Sequence, residues 1–131
     1  MSRTTEPVDL SILIGATVGR VYVDQAAAGM LLDHASPGET YAWYVEQPFQ
    51  LYSQGKTCEL DPKTPPSMLP FLSLLGTSIA KVDVTLDGAI RFEFSGEVAV
   101  GCGPDPHYEA WQLAGPRGFM VVCLPGGGLA T

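Results

Sequence analysis

The segment from Pro104 to Gly128 sets the tightest limit on what this chain can fold into. Trp111-Gln112-Leu113 and Phe119 to Leu124 read as two β-strands, joined by the turn Ala114-Gly115-Pro116-Arg117-Gly118 and closed by Gly126-Gly127-Gly128. The second strand, Phe119-Met120-Val121-Val122-Cys123-Leu124, has almost no polar side chain to offer water. A strand that apolar is normally covered on both faces. Something large must pack on it, and Trp111, with Leu113 on the same face of its strand, is the best anchor available.

The rest of the chain supplies short elements. Its 131 residues suit one domain, residues 1–131. Its 15 Gly and 11 Pro favour frequent turns over long helices. Residues 1–8 read as a loose tail. Val21 and Val23 alternate with Arg20, Tyr22 and Asp24 in a first strand, Gln25 to Gly29 turns, and Met30-Leu31-Leu32 is a short buried strand. Ser36-Pro37-Gly38-Glu39 is a turn signal. Thr40 to Val45 alternates again, with Tyr41, Trp43 and Val45 on one face and Ala42, Tyr44 and Glu46 on the other. Phe49 to Tyr52 resumes the strand after Pro48, and Gln54 to Pro66 reads as loop. Ser67 can cap an α-helix over 67–75. Met68, Phe71, Leu72 and Leu75 then fall at i, i+3, i+4 and i+7, Leu69 and Leu74 broaden the face, and Gly76 ends it. Ile79 to Thr85 and Ala89 to Phe94 form a hairpin through Asp87-Gly88, a type I′ signal. Ser95-Gly96 turns into Glu97 to Val100, and Gly101 to Pro106 is loop.

A repeat runs through this order. Ile14-Gly15-Ala16-Thr17-Val18-Gly19-Arg20-Val21-Tyr22-Val23 lines up with Leu75-Gly76-Thr77-Ser78-Ile79-Ala80-Lys81-Val82-Asp83-Val84, at an offset of 61 residues from Gly15 to Gly76. The fold class expected is therefore α+β, mainly antiparallel β. Two similar β-meander units, 14–53 and 75–124, would be bridged by a linker and one short helix in 54–74.

Charge and composition exclude several classes. Seven Lys+Arg stand against fourteen Asp+Glu, a net charge of −7, and the basic residues are scattered singly. No stripe neutralises a run of phosphates, so nucleic acid is not an expected partner. An acidic surface attracts basic partners instead. The longest early apolar run, Leu10 to Ile14, is too short for a signal-peptide core or a bilayer span, so the expected location is cytoplasmic and no membrane partner is expected. Cys58, Cys102 and Cys123 form no C-x-x-C pair, which suggests neither a disulfide framework nor a zinc site. His34 and His107, with Asp33 and Asp105, lack a third strong ligand, so no metal and no cofactor are expected. Cys102, Asp105, His107 and Glu109 hold the residue types of a cysteine nucleophile with its base and orienter. Neighbours in sequence rarely form such a set, so no catalytic residue is assigned, and Cys102 is expected to titrate near the ordinary value of about 8.5.

The aromatics point to binding. Tyr41, Trp43, Tyr44, Phe49 and Tyr52 crowd into twelve residues. With Tyr41 and Trp43 inward, Tyr44 and Tyr52 are exposed beside Glu46, a combination suited to a protein-binding patch. Glu109, on the strand face of Trp111, is expected to pair with Lys81 or Arg91. The candidate binding residues are Tyr44, Glu46, Tyr52, His107 and Glu109.

The ending Tyr108-Glu109-Ala110-Trp111-Gln112-Leu113, Gly115-Pro116-x-Gly118 and Val121-Val122-Cys123-Leu124-Pro125-Gly126-Gly127, together with Glu46-x-Pro48-Phe49 and Leu74-Leu75-Gly76, resembles a family of small, mainly actinobacterial proteins of unknown function. The resemblance implies no mechanism. Two functions are expected from the residues. The first is a non-enzymatic cytoplasmic binding protein of immunity or regulatory type, with a protein partner or a second copy of itself. The second is a small-molecule-binding domain or enzyme that uses a cavity between the two β-units and the Cys102/His107 loop.

Overall fold

Alternating burial along strands of each sheet turns one face inward and produces a two-layer sandwich. In β3 (Thr40–Val45), Tyr41, Trp43 and Val45 are buried while Ala42 and Tyr44 are only half-buried. In β7 (Ile90–Phe94), Ile90, Phe92 and Phe94 are buried and Arg91 is exposed. The computed structural model describes residues 3–34 and 38–131. The turn expected at Ser36-Pro37, and the first two residues, lie outside them.

The other strands are β1 (Thr17–Val23), β2 (Ala28–Asp33), β4 (Phe49–Ser53), β5 (Lys56–Leu60), β6 (Ile79–Val84), β8 (Val98–Cys102), β9 (Trp111–Ala114), β10 (Met120–Cys123) and β11 (Leu129–Ala130). One sheet has the order β1-β2-β3-β9-β10-β11, the other β5-β4-β8-β7-β6. Every pairing of these strands is antiparallel. The chain crosses between layers at Glu46-Gln47-Pro48, where Pro48 can donate no ladder bond. As a result each three-strand meander is extended by strands from the other half. Trp111 of β9 pairs with Val45 of β3, and Leu51 of β4 pairs with Val100 of β8.

Side chains fill the space between the sheets. Trp43 is fully buried and meets Phe49 and Phe92 edge-on at 5.5 and 5.4 Å between ring centroids, and Phe71 meets Phe49 at 5.5 Å. Each such pair adds about 0.5–1.5 kcal/mol beyond area burial. Trp111 is 1% exposed, and its indole N–H donates to the carbonyl of Gly88 at 2.8 Å. It is the core anchor of the C-terminal hairpin.

The two layers also meet along β1 and β6. Gly15 N–H donates to Ile79 O and Gly76 N–H to Val18 O. Val18 N–H donates to Thr77 O and Ile79 N–H to Ala16 O. Thr17 and Ser78 face each other in a bridge. Both strands carry a register irregularity, between Val18 and Arg20 in β1 and between Ile79 and Lys81 in β6.

Several expectations are corrected. The segment expected as an α-helix is a 3₁₀ helix, Pro65–Leu74, with Pro70 inside it, and no α-helix occurs among the described residues. Three residues per turn line up Met68, Phe71 and Leu74, all buried, whereas Leu72 and Leu75 are exposed at 52% and 47%. Lys56–Leu60 is a strand rather than loop; it lies at a sheet edge with its first four side chains exposed, so it carries no alternation to read. The β6–β7 turn is not type I′, because Asp87 keeps a negative φ and only Gly88 (φ 105) is left-handed; the I′ sign pattern appears instead at Gln54-Gly55 and Gly96-Glu97. Neither end of the described chain is loose. Thr4 N–H donates to Leu129 O, Arg3 bridges Ala130, and Leu129 and Ala130 are fully buried in β11.

Candidate functional site

The outer face of the first sheet carries a groove of about 420 Å³ over the junction of β3 and β9. Alternation along β3 turns Tyr44 outward, and Gln112 stands opposite it on β9. Glu46 follows just past the end of β3. Its Oε1 accepts a hydrogen bond from the Tyr44 hydroxyl at 2.8 Å. That bond to the carboxylate, with partial desolvation and the charges of Glu46 and Asp24 behind it, pushes the Tyr44 phenol up to about 12.

The opposite wall is the loop between β8 and β9. Asp105 Oδ1 accepts the backbone N–H groups of His107 at 2.8 Å and Tyr108 at 3.0 Å, which sets the turn that presents both rings. The His107 N–H is the main reason the Asp105 carboxyl lies below the usual carboxylate range. Tyr108 is 71% exposed, the largest exposure among the big apolar and aromatic side chains of the described residues. Glu109 Oε1 accepts from Gln112 Nε2 at 3.3 Å. Trp111 lies beneath, held by its bond to Gly88.

A second hollow of about 260 Å³ adjoins the groove and shares Glu46, Tyr108 and Glu109 with it. Lys63 is the single cation lining either hollow, against the carboxylates of Glu46, Asp105 and Glu109. Gln47 sits at its base, where Nε2 donates to Gly103 O at 2.8 Å and ties the layer crossing to the loop. Its Oε1 is buried without a hydrogen-bond partner.

Four of the five expected binding residues, Tyr44, Glu46, His107 and Glu109, thus line one groove. Tyr52 does not join them. It lies on the outer face of the other sheet, where Arg91 stacks over its ring at 4.6 Å beside a separate groove of about 480 Å³. That larger groove is electrically mixed, with Lys56 and Arg91 against Glu93 and Glu97. Glu109 is exposed and bonded to Gln112, not paired with Lys81 or Arg91, which belong to the other layer. Cys102 is 3% exposed, its nearest polar contacts are Gln47 Nε2 and Gly103 O, and burial pushes its thiol up to about 12 rather than leaving it near 8.5. Tyr108, Gln112 and Gln47 were not singled out from sequence. The signal for Tyr108 was present in Asp105, two and three residues before His107 and Tyr108, a spacing that closes an Asx turn.

Among the described residues no three His, Cys, Asp or Glu side chains gather as metal ligands. No helix among them is long and apolar enough to cross a membrane. No curated protein and no solved structure matches the chain. One family model, of a family of unknown function, matches residues 9–131.

Proposed function

The chain belongs to that family, DUF6188, and we propose that it is a non-enzymatic, cytoplasmic binding protein whose groove at Tyr44, Glu46, Tyr108 and Glu109 receives a basic segment of a protein partner. The observation that carries this reading is the groove itself, an aromatic and acidic concavity over a filled core. Tyr108 offers a ring face to a Lys or Arg side chain, and the carboxylates of Glu46 and Glu109 are within the same hollow. A net charge of −7 speeds the approach of a cationic partner. Immunity-type or regulatory action, by covering a partner's basic surface, is the role that suits such a face.

The alternative, an enzyme or small-molecule domain with a cavity between the β-units, finds less support. Trp43, Phe49, Phe71 and Phe92 occupy that space, and Cys102 faces the interior as a protonated thiol. The test is capture from native lysate by wild type and by Glu46→Lys/Glu109→Lys. A protein held by wild type, released by the variant and eluted by moderate salt is expected. Identical captured sets from the two chains would remove the groove from the function.

We also infer that 14–53 and 75–124 are copies of one ancestral unit. The reciprocal bonds at Gly15/Gly76 and Val18/Ile79, and the matched irregularities in β1 and β6, support this at the same 61-residue offset as the sequence. Superposing 14–53 on 75–113 must bring Val21 and Val82 to the same side of their sheets, or the copies are unrelated.

A further inference from the structure

The 3₁₀ helix Pro65–Leu74 buries one row of side chains and leaves another bare. With three residues per turn, Leu69, Leu72 and, at the C-cap, Leu75 follow one another on one side. They are 70%, 52% and 47% exposed. Leu69 and Leu72 line a hollow of about 350 Å³ with Val23, Pro65, Pro66 and Met68. The 3₁₀ turn Ser11–Leu13 adds Ile12 and Ile14, at 45% and 51% exposure. The bonds from Gly15 to Ile79 and from Gly76 to Val18 bring these two segments to the same seam between the layers. Among the described residues, six of the nine large exposed apolar side chains belong to this region. An apolar surface of that extent marks an interaction site on a folded protein.

Charge decides the occupant. No residue from Leu10 to Gly19, or from Thr64 to Ala80, carries a charge. Two copies of a −7 chain repel wherever acidic faces meet, and neither of these two segments adds a charge of its own to an approaching face. An anionic lipid surface would repel the chain as a whole, and no Lys or Arg in these segments offsets that. Six aliphatic side chains, each about half exposed, offer on the order of 500 Å², near the apolar share of the roughly 800 Å² that each partner buries in a standard interface. We propose that the apolar surface of Leu69, Leu72, Leu75, Val23, Ile12 and Ile14 is where two copies of this chain pair, isologously, each presenting the same residues.

The test is sedimentation velocity of the full chain from about 1 to 500 μM. Wild type is expected to move from monomer to dimer across this range, with pairing strengthened by salt because screening weakens the −7 repulsion. Leu69→Glu/Leu72→Glu should remain monomeric at every concentration, with unchanged circular dichroism and melting. Leu86→Glu, an equally simple change at an exposed leucine in the β6–β7 turn, should still pair. If the double variant misfolds, hydrogen exchange of wild type substitutes: amides of 65–76 should gain protection at high concentration. Wild type that stays monomeric throughout, a dimer untouched by the double variant, or a monomer that sediments with anionic vesicles would each overturn the proposal.

Discussion

Trp111 gives the sharpest test of how the groove is supported. The indole is 1% exposed beneath the groove, and its N–H reaches the carbonyl of Gly88 at 2.8 Å. Trp111→Ala removes a buried aromatic, which costs about 3–5 kcal/mol. It also leaves the Gly88 carbonyl without its donor, a further penalty of about 1–3 kcal/mol where water cannot reach it. Trp111→Phe weights the second contribution, because it keeps a buried aromatic ring, smaller than the indole, and loses the donor. The expected order is wild type, then Phe lower by roughly 1–3 kcal/mol, then Ala lower by about 5. A domain of this size has about 5–15 kcal/mol in all, so the Ala variant should be close to unfolded at 37 °C. Urea unfolding followed by far-UV circular dichroism reads both losses. At a slope of about 1–3 kcal/mol per molar, the Ala midpoint falls by roughly 2 M or more. If Phe and Ala both cost less than about 1 kcal/mol, Trp111 does not anchor the hairpin and the groove floor rests on something else.

Other outcomes follow from the site and the thiols. Spectrophotometric titration should find one tyrosine near 12, and Glu46→Gln should bring it back toward 10, since the carboxylate acceptor is the main cause of the rise; an unchanged titration would place the 2.8 Å bond elsewhere. Tyr108→Ala, at 71% exposure, should leave melting within about 0.5 kcal/mol of wild type and weaken partner binding at least tenfold, read by calorimetry. Under native conditions at pH 8 a thiol reagent should label Cys58 alone, because Cys102 and Cys123 are buried; fast labelling of three thiols would contradict the fold. Burial raises those two thiols to about 12 and about 11, above the unfolded value of about 8.5. Stability from the protonated thiols is complete below pH 8.5 and is lost as pH climbs toward 11–12, so Cys102→Ala should flatten the alkaline fall in melting temperature.

The strands were legible wherever one face met the core and the other met water. Tyr41-Ala42-Trp43-Tyr44-Val45 states its own orientation, and from it the outward direction of Tyr44 and the place of Glu46 follow. β5 was not legible because Lys56, Thr57, Cys58 and Glu59 are all exposed at an edge, which removes the contrast that period-two reading needs. The 3₁₀ helix was misjudged for a different reason. Met68 and Phe71 satisfy both three-residue and 3.6-residue periods, and the two diverge only at Leu72, Leu74 and Leu75. Tyr52 was grouped with Tyr44 because eight residues separate them. The chain changes layer at Pro48 between the two, and nothing local in Glu46-Gln47-Pro48 distinguishes a crossing from an edge. His107 and Glu109 were found through their chemistry, yet their meeting with Tyr44 depends on the β3–β9 pairing, a long-range contact with no local signature.

That pairing orders events during synthesis. β3 leaves the ribosome well before β9, and its partner edge is taken only when β9 emerges; β4, likewise, waits for β8. Until then two strand edges rich in Tyr, Trp and Leu stand open, and the groove has one wall. A truncated or stalled chain therefore cannot carry a weakened version of the binding face, because the face first exists when β9 docks. Such closures are slow to find relative to local hairpins, so the same topology that shuts the core also makes the unfinished chain a natural client for chaperones.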